Sequence, residues 1–411
     1  MTRTIKRQIL IWGAVFLLLV GLTLHIQQML FMSGALALLA PGAYLLSRSL
    51  LRGLQVRRHA PSRLRAGEET TVSLLVSNPT VRARPAFWVE EDLPDGLAAA
   101  ETSQLVLDLG PGEEREVSYT LLAERRGVYM LGPVQLTTSD AVGLHDFIRN
   151  VELADELLVY PRILSLADLW PRGPVERGVP RRRQHRPGGL DPQSTREYVP
   201  GDDLRHVAWK VSAHRDKMMI VEREHAQGLQ ATVLLDLTEG VHAGQGNETS
   251  LEYGVTLAAS LLAQAQDTGA TVALLADGDR DYSVAPDSAQ DHRRRLLEAL
   301  ARCRTGGERP LAAVVRDHLG ELPRGASVAV VTPQVGPEVL LVSDLLAGRG
   351  VRVIWFLLMA PSFERRASAG AEEERYHQLA TTLGRRRQSV HLIRGDERLE
   401  TALGRRLRAT G

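Results

Sequence analysis

Two long apolar runs open the chain. Ile9 to Leu24 carries no charge or strongly polar group, and Met29 to Leu46 is nearly as clean. Each run is about 16 to 18 residues, the short end of what crosses a hydrocarbon core. The intervening His25-Ile26-Gln27-Gln28 suffices for a tight turn, so residues 1–53 are expected to form a transmembrane helical hairpin. The alternative is a signal peptide followed by a buried helix. Against it, the second run follows at once, with no convincing small-residue cleavage site between the two. Arg3, Lys6 and Arg7 precede the hairpin, Arg48, Arg52, Arg57 and Arg58 follow it, and the turn holds no Lys or Arg. The positive-inside rule places both flanks in the cytoplasm. The expected location is the inner (cytoplasmic) membrane, multi-pass, with cytoplasmic soluble domains. No lone charge sits mid-span as a proton relay would need, so the hairpin reads as an anchor in the lipid bilayer.

The pattern then shortens. In residues 54–161, alternations such as Thr71 to Val76, Leu105 to Leu107 and Glu116 to Leu121 are separated by turns including Asn78-Pro79-Thr80, Pro94-Asp95-Gly96 and Gly110-Pro111-Gly112. Strand-length runs with Gly/Pro punctuation and no helical period predict an antiparallel β-sandwich module, a spacer or contact surface. Residues 162–228 read as linker and signature segment. From 229 to 411 the pattern alternates. Strand runs at Thr232–Asp236, Thr271–Leu275, Val328–Val331, Val351–Leu358 and Val390–Ile393 flank helical patterns at Leu251–Gln266, Gln290–Arg302, Leu311–Leu319, Glu338–Leu346 and Glu372–Leu383. That alternation predicts a doubly wound α/β domain, mostly parallel, with ligands at the carboxyl ends of its strands. The fold class is therefore multidomain: hairpin, β-sandwich, α/β.

Composition narrows the chemistry. A chain of 411 residues, 44% apolar and 24% charged, is an ordinary folded protein. A net charge of +1 gives no global field for nucleic acid, and none is expected as partner. The single cysteine, Cys303, excludes an intrachain disulfide framework and Cys-based zinc clusters. On a predicted Arg-rich helix it reads as a packed or exposed thiol rather than a nucleophile. No phosphate-binding loop, dinucleotide fingerprint, His-Glu-x-x-His or Gly-x-Ser-x-Gly occurs. The run Arg181 to Arg186 offers guanidinium groups for phosphate but lacks interleaved aromatics.

The densest pattern lies at Thr195 to Glu224. Pro200-Gly201 forces a turn, and Asp202 is placed to cap a short helix running to Trp209. Arg196, Glu197, Asp202, Asp203 and Arg205 set opposite charges close together, and Trp209 supplies an apolar anchor. A structural clasp and a ligand site would use the same residues.

Arg196-Glu197-Tyr198, Pro200-Gly201-Asp202-Asp203, Arg205, Trp209 and Ser212-Ala213 resemble the signature of bacterial domain-of-unknown-function family 58. Asp140-Ala141-Val142-Gly143-Leu144 is similar to a further element of that family, whereas His206 and His214 depart from its pattern. The resemblance implies a von Willebrand factor A-like α/β domain and a MoxR-type AAA+ ATPase as protein partner. It also implies a binding role for Arg196, Glu197, Tyr198, Pro200, Gly201, Asp202, Asp203, Arg205, Trp209 and Ser212. The implied fold would carry an Mg²⁺ site built from Asp-x-Ser-x-Ser, a distant Thr and a later Asp. Here Asp236, Thr238 and Thr305 are the degenerate candidates, while Gly240 and Thr332 stand where a hydroxyl and a carboxylate are expected. No resident metal or other cofactor is expected. The expected function is a non-enzymatic, membrane-anchored scaffold or adaptor. A metal-dependent enzyme or ligand receptor using the signature segment and the Asp236 loop, and an anionic-lipid or nucleic-acid binder using Arg181–Arg186, are the alternatives.

Overall fold

A computed structural model describes residues 3–99, 105–140, 143–165, 170, 194–197, 212, 217–222, 230–287, 291–364, 369–397, 399 and 401. The chain divides into two compact units, Met1–Arg162 and Ile163–Gly411.

The first unit begins with two helices, α1 (Arg3–Leu24) and α2 (Gln27–Ser47). They turn at His25, which takes φ of 55°. Small side chains bring the two together. Ser33 Oγ donates to the Ala14 carbonyl at 2.8 Å, and a Cβ on Gly21 would press on Met29 and Leu30 at 3.1 Å. In hydrocarbon such close approach and interhelical hydrogen bonding are the available cohesive forces. The apolar side chains face outward: Phe31 and Leu38 are both more than seven-tenths exposed. Helix α2 is long and apolar enough to cross a membrane; the described apolar part of α1, Gln8–Leu24, is shorter.

Among the described residues, eleven strands follow: β1 (Gln55–His59), β2 (Arg63–Arg65), β3 (Glu69–Ser77), β4 (Arg84–Glu91), β5 (Leu97–Ala99), β6 (Leu105–Leu109), β7 (Glu114–Ala123), β8 (Gly127–Leu131), β9 (Val134–Ser139), β10 (Asp146–Val151) and β11 (Asp155–Tyr160). They form antiparallel sheets ordered β1-β3-β7-β5 and β10-β9-β4-β6, with a smaller mixed sheet β2-β11-β8. Period-two alternation decides which faces meet. Val72, Leu74, Val76 and Leu121 of the first sheet share one core with Phe87, Val89, Leu107 and Leu136 of the second. Two arginines fasten this unit to the helix end. Arg84 donates to the carbonyls of Ser49 (3.0 Å) and Arg52 (2.8 Å), and Arg149 to those of Leu51 (2.6 Å) and Leu54 (3.0 Å). They satisfy carbonyls in the turn that leaves α2.

In the second unit β12 (Ser194–Glu197) pairs antiparallel with β13 (Met219–Glu222). The main sheet contains β14 (Gln230–Leu235), β17 (Thr271–Leu275), β18 (Val284–Asp287), β19 (Ser327–Thr332), β20 (Arg352–Leu358) and β21 (Ser389–Ile393). A small hairpin, β15 (Gly244–Gln245) and β16 (Glu248–Thr249), precedes α3 (Ser250–Asp267). The helices α4 (His292–Arg302), α5 (Leu311–His318), α6 (Pro337–Arg349), α7 (Ala360–Phe363) and α8 (Ala369–Arg385) follow. Sheet order is β18-β17-β14-β19-β20-β21, parallel throughout except for the β17/β18 pair. Strands β14, β19 and β20 are near-continuous apolar runs because both faces are covered. Local signals agree. Thr249 Oγ1 accepts the Glu252 N–H at 3.1 Å, Pro337 opens α6, and Gly350 ends it with φ of 76°.

Two local expectations change. Cys303 is not inside a helix but caps the end of α4 in extended conformation, buried, its Sγ donating to the Leu300 carbonyl. The antiparallel edge strand β18 was not foreseen, since Val284-Ala285-Pro286-Asp287 has neither length nor alternation.

Candidate functional site

The carboxyl ends of β14 and β19 bring one buried carboxylate to neighbouring polar side chains. Strand β14 is apolar up to Leu235, and the next residue, Asp236, is 1% exposed. Its Oδ1 accepts the Thr238 backbone N–H (3.0 Å) and hydroxyl (2.6 Å), an Asx-type turn. Its Oδ2 accepts the Thr332 hydroxyl (2.5 Å) and the Gln334 side-chain amide (2.9 Å). The same amide nitrogen lies 3.3 Å from Thr238 Oγ1, and the Gln334 N–H donates to Thr332 Oγ1 at 2.9 Å. Four donors on one carboxylate fill its ordinary accepting capacity.

Three loops pack backbone to backbone around this cluster. The Leu237 carbonyl accepts the N–H groups of Gly306 (3.2 Å) and Gly307 (3.1 Å), and Glu239 N–H donates to the Gly307 carbonyl at 3.1 Å. A Cβ at Gly307 would stand 2.5 Å from the Asp277 carbonyl oxygen, and one at Gly278 2.1 Å from that of Arg304. Only glycine fits either place. Thr305 is in this ring of loops, yet no side-chain hydrogen bond joins it to Asp236 or Thr238. Gly240 has φ of 75° and serves the turn.

Beneath the loop, His242 Nε2 is 2.8 Å from the Asp236 carbonyl, and Nδ1 is 3.0 Å from Ser250 Oγ. A carbonyl only accepts, so Nε2 carries the proton and the serine hydroxyl donates to Nδ1. Ser250 also accepts the Ala243 N–H at 3.0 Å and is fully buried, which makes this pair a brace rather than a reacting dyad. Next along the edge, Asp277 Oδ2 has Arg309 at 3.6 Å, and Tyr282 donates to Asp279 at 2.5 Å. Burial, then the hydrogen bond to Asp279, raises the Tyr282 pKa. No group of three or more His, Cys, Asp or Glu side chains with metal-holding geometry occurs among the described residues.

Of the signature, Arg196 and Glu197 lie in β12, paired with Ile220 and Met219 of β13, and Ser212 is half-buried. Tyr198, Pro200, Gly201, Asp202, Asp203, Arg205 and Trp209 lie outside the described residues, as do Arg181–Arg186. The sequence reading noticed Asp236, Thr238 and Thr332 but missed Gln334. No local signal marks Gln334, because only the neighbouring of β14 and β19 in the sheet brings it to Asp236.

A second polar cluster, in the first unit, was missed altogether. Arg58 and Glu91, with side chains 0% and 1% exposed, meet at 2.7 Å. Tyr119 donates to Glu91 Oε2 at 2.9 Å, and Arg58 also reaches Asp155 (2.8 Å) and the Gly132 carbonyl (2.6 Å). Burial pushes the Glu91 carboxyl above its usual range, with the Arg58 charge opposing it, and pushes the Tyr119 phenol strongly upward.

Comparison with known proteins gives a match inside the second unit. Residues 194–359 match the family described as "Protein of unknown function DUF58". The chain is 26% identical over 317 residues to the uncharacterised protein YeaD of Bacillus subtilis, covering 75% of this chain and 77% of YeaD. Two solved structures overlap part of this chain. Escherichia coli alpha-2-macroglobulin gives a TM-score of 0.23 at 16% identity, over 28% of this chain and 7% of that one. The CARDB domain of PF1109 from Pyrococcus furiosus gives 0.18 at 17% identity, over 26% and 94%. The residues matched by that family model run from the β12–β13 ribbon through β20 and include the Asp236 cluster at the carboxyl edge of the sheet.

Proposed function

We propose that the chain is a membrane-anchored scaffold or adaptor that presents its DUF58 region to a protein partner in the cytoplasm. One observation carries the reading: the best-formed polar cluster at the carboxyl edge of the main sheet is closed on itself. Asp236 spends its accepting capacity on Thr238, Thr332 and Gln334. Among the described residues, that leaves no free acceptor on the Asp236 carboxylate, which a chemical site built on it would need. The two packed helices support a two-span anchor, and the two sheets sharing a core support a β-sandwich between anchor and DUF58 region. The parallel order from β17 to β21, flanked by helices, supports a von Willebrand factor A-like domain. A MoxR-type AAA+ ATPase is the partner that the signature's resemblance implies. Co-purification from detergent-solubilised membranes tests the reading. A stoichiometric AAA+ ATPase, lost in Asp202→Ala or Arg205→Ala at unchanged melting temperature, supports it. Undiminished capture by both variants removes the signature as the contact.

A metal-dependent receptor or enzyme is the second reading, supported by the Asp236–Thr238 pairing. A cation here would have to displace the Gln334 amide, which bridges Asp236 Oδ2 and Thr238 Oγ1. Ion binding to the native state alone would stabilise it by about 2.7 kcal/mol at a hundredfold excess over the dissociation constant. The scaffold reading predicts no rise in melting temperature with Mg²⁺; a rise abolished in Asp236→Ala would favour the metal reading.

A further inference from the structure

The loop between β3 and β4 exposes an apolar tip beside the end of α2. Val81 is 90% exposed, more than any other large apolar side chain described. Its loop is fixed in place. Asn78 Nδ2 donates to the Arg82 and Gly110 carbonyls at 2.8 Å, and Arg84 reaches both Thr80 Oγ1 (3.2 Å) and the Arg52 carbonyl (2.8 Å). A Cβ on Gly53 would sit 2.7 Å from the Thr80 methyl, so residues 80–82 abut the turn that leaves the helix.

Cations lie along the chain beside this tip and in the turn it abuts. Arg48, Arg52 and Arg82 are exposed, and none has a carboxylate partner among the described residues. Arg82 directly follows Val81, and burial, then the Arg82 charge, lowers the Arg84 pKa. Of the acids nearby, Glu113 is engaged by Arg115 and the Gly110 N–H, Asp140 by Leu144 and His145, and Asp146 by Ser139, while Glu114, opposite Ser77, is exposed. The segment 143–147 reaches the helix ends as well. His145 and Phe147 rings lie 5.4 and 5.3 Å from Tyr44 of α2, and a Cβ on Gly143 would lie 3.4 Å from Lys6 Nζ. An aromatic one turn before the helix end, with cations just beyond it, is the arrangement that sits at a bilayer interface.

We propose that residues 80–82 form a membrane-surface contact, Val81 entering the headgroup boundary while Arg48, Arg52 and Arg82 bind phosphate oxygens of anionic phospholipids. Rigid attachment to the end of an apolar helix holds this loop at the depth of the interface. The cations there face a surface of opposite charge within a Debye length. The inference rests on the anchoring role proposed above.

The test uses the full chain reconstituted in phosphatidylcholine vesicles with or without phosphatidylglycerol. An environment-sensitive dye is placed at Val81→Cys, Leu38→Cys or Asp95→Cys; the native thiol, Cys303, is buried. Leu38 reports the anchor, and Asp95 lies beside Gly96, whose carbonyl holds Glu124 and Arg125 at the opposite end of the strands. Expected are lipid-borne quenching at 38 in both vesicles, none at 95, and quenching at 81 several-fold stronger with phosphatidylglycerol. Arg52→Glu with Arg82→Glu should abolish that increment and leave position 38 unchanged. Quenching at 38 with position 81 open to aqueous quencher overturns the contact but keeps the anchor. A dye at 81 shielded from lipid and water alike overturns it in favour of a protein contact. No quenching at 38 overturns both.

Discussion

Glu91 is a carboxylate held away from water by strands on every side, and its partner Arg58 is as deeply buried. Removing one partner of such a pair leaves an uncompensated charge, at a cost of about 3 to 5 kcal/mol. Arg58→Met should therefore lower the unfolding free energy by that much, and Arg58→Met with Glu91→Leu by much less; equal losses would mean the charge is not what matters. Burial raises the Glu91 carboxyl. The folded chain then holds this proton to higher pH than the unfolded chain does. Between the ordinary glutamate range and the raised value, stability must fall as pH rises. Glu91→Gln should flatten that part of the melting profile, and an unchanged slope would assign it to other groups. At the sheet edge, Asp236→Ala strands the fully buried Thr332 hydroxyl. A loss of about 1 to 3 kcal/mol is expected by denaturant titration, with Asp236→Asn losing less because one carbonyl still accepts.

Among the elements, legibility in the sequence followed the length and period of the pattern. Strands β14, β17, β19, β20 and β21 were readable to within a residue or two because parallel strands buried on both faces must be apolar throughout. Helices α3, α4, α5, α6 and α8 were readable from their spacing, whereas the four-residue α7 was not. What escaped was pairing. Nothing in Val284–Asp287 announces an edge strand, and Arg58, read as a charge flanking the hairpin, turned out to be the partner of a glutamate 33 positions away. Half of the Asp236 cluster was visible because Asp236 and Thr238 are neighbours in sequence. Gln334 was not, because its proximity comes from sheet order alone. The joint between helix and strands was equally hidden, since Arg84 and Arg149 bond carbonyls, which carry no sequence label. Arg84→Ala with Arg149→Ala should loosen that joint, seen as faster trypsin cleavage at Arg48 and Arg52 with β-strand amide protection unchanged.

For the whole molecule, topology is the first quantity to measure. Basic residues flank both helices and none lies in the turn, so a reporter fused after Gly411 should be active only in the cytoplasm. Activity on the other face would reverse the anchor and with it any cytoplasmic partner. The main sheet adds a constraint of its own. Its β18 border is only four residues long, and Pro286 within it contributes no N–H. A second copy's strand approaching there finds too few donors to zip into a continuous ladder. Were the chain anchored as proposed, copies on one bilayer would meet far more often than copies dispersed in solution. Under such confinement, a rim that refuses to template further strands keeps crowding from turning into polymerisation.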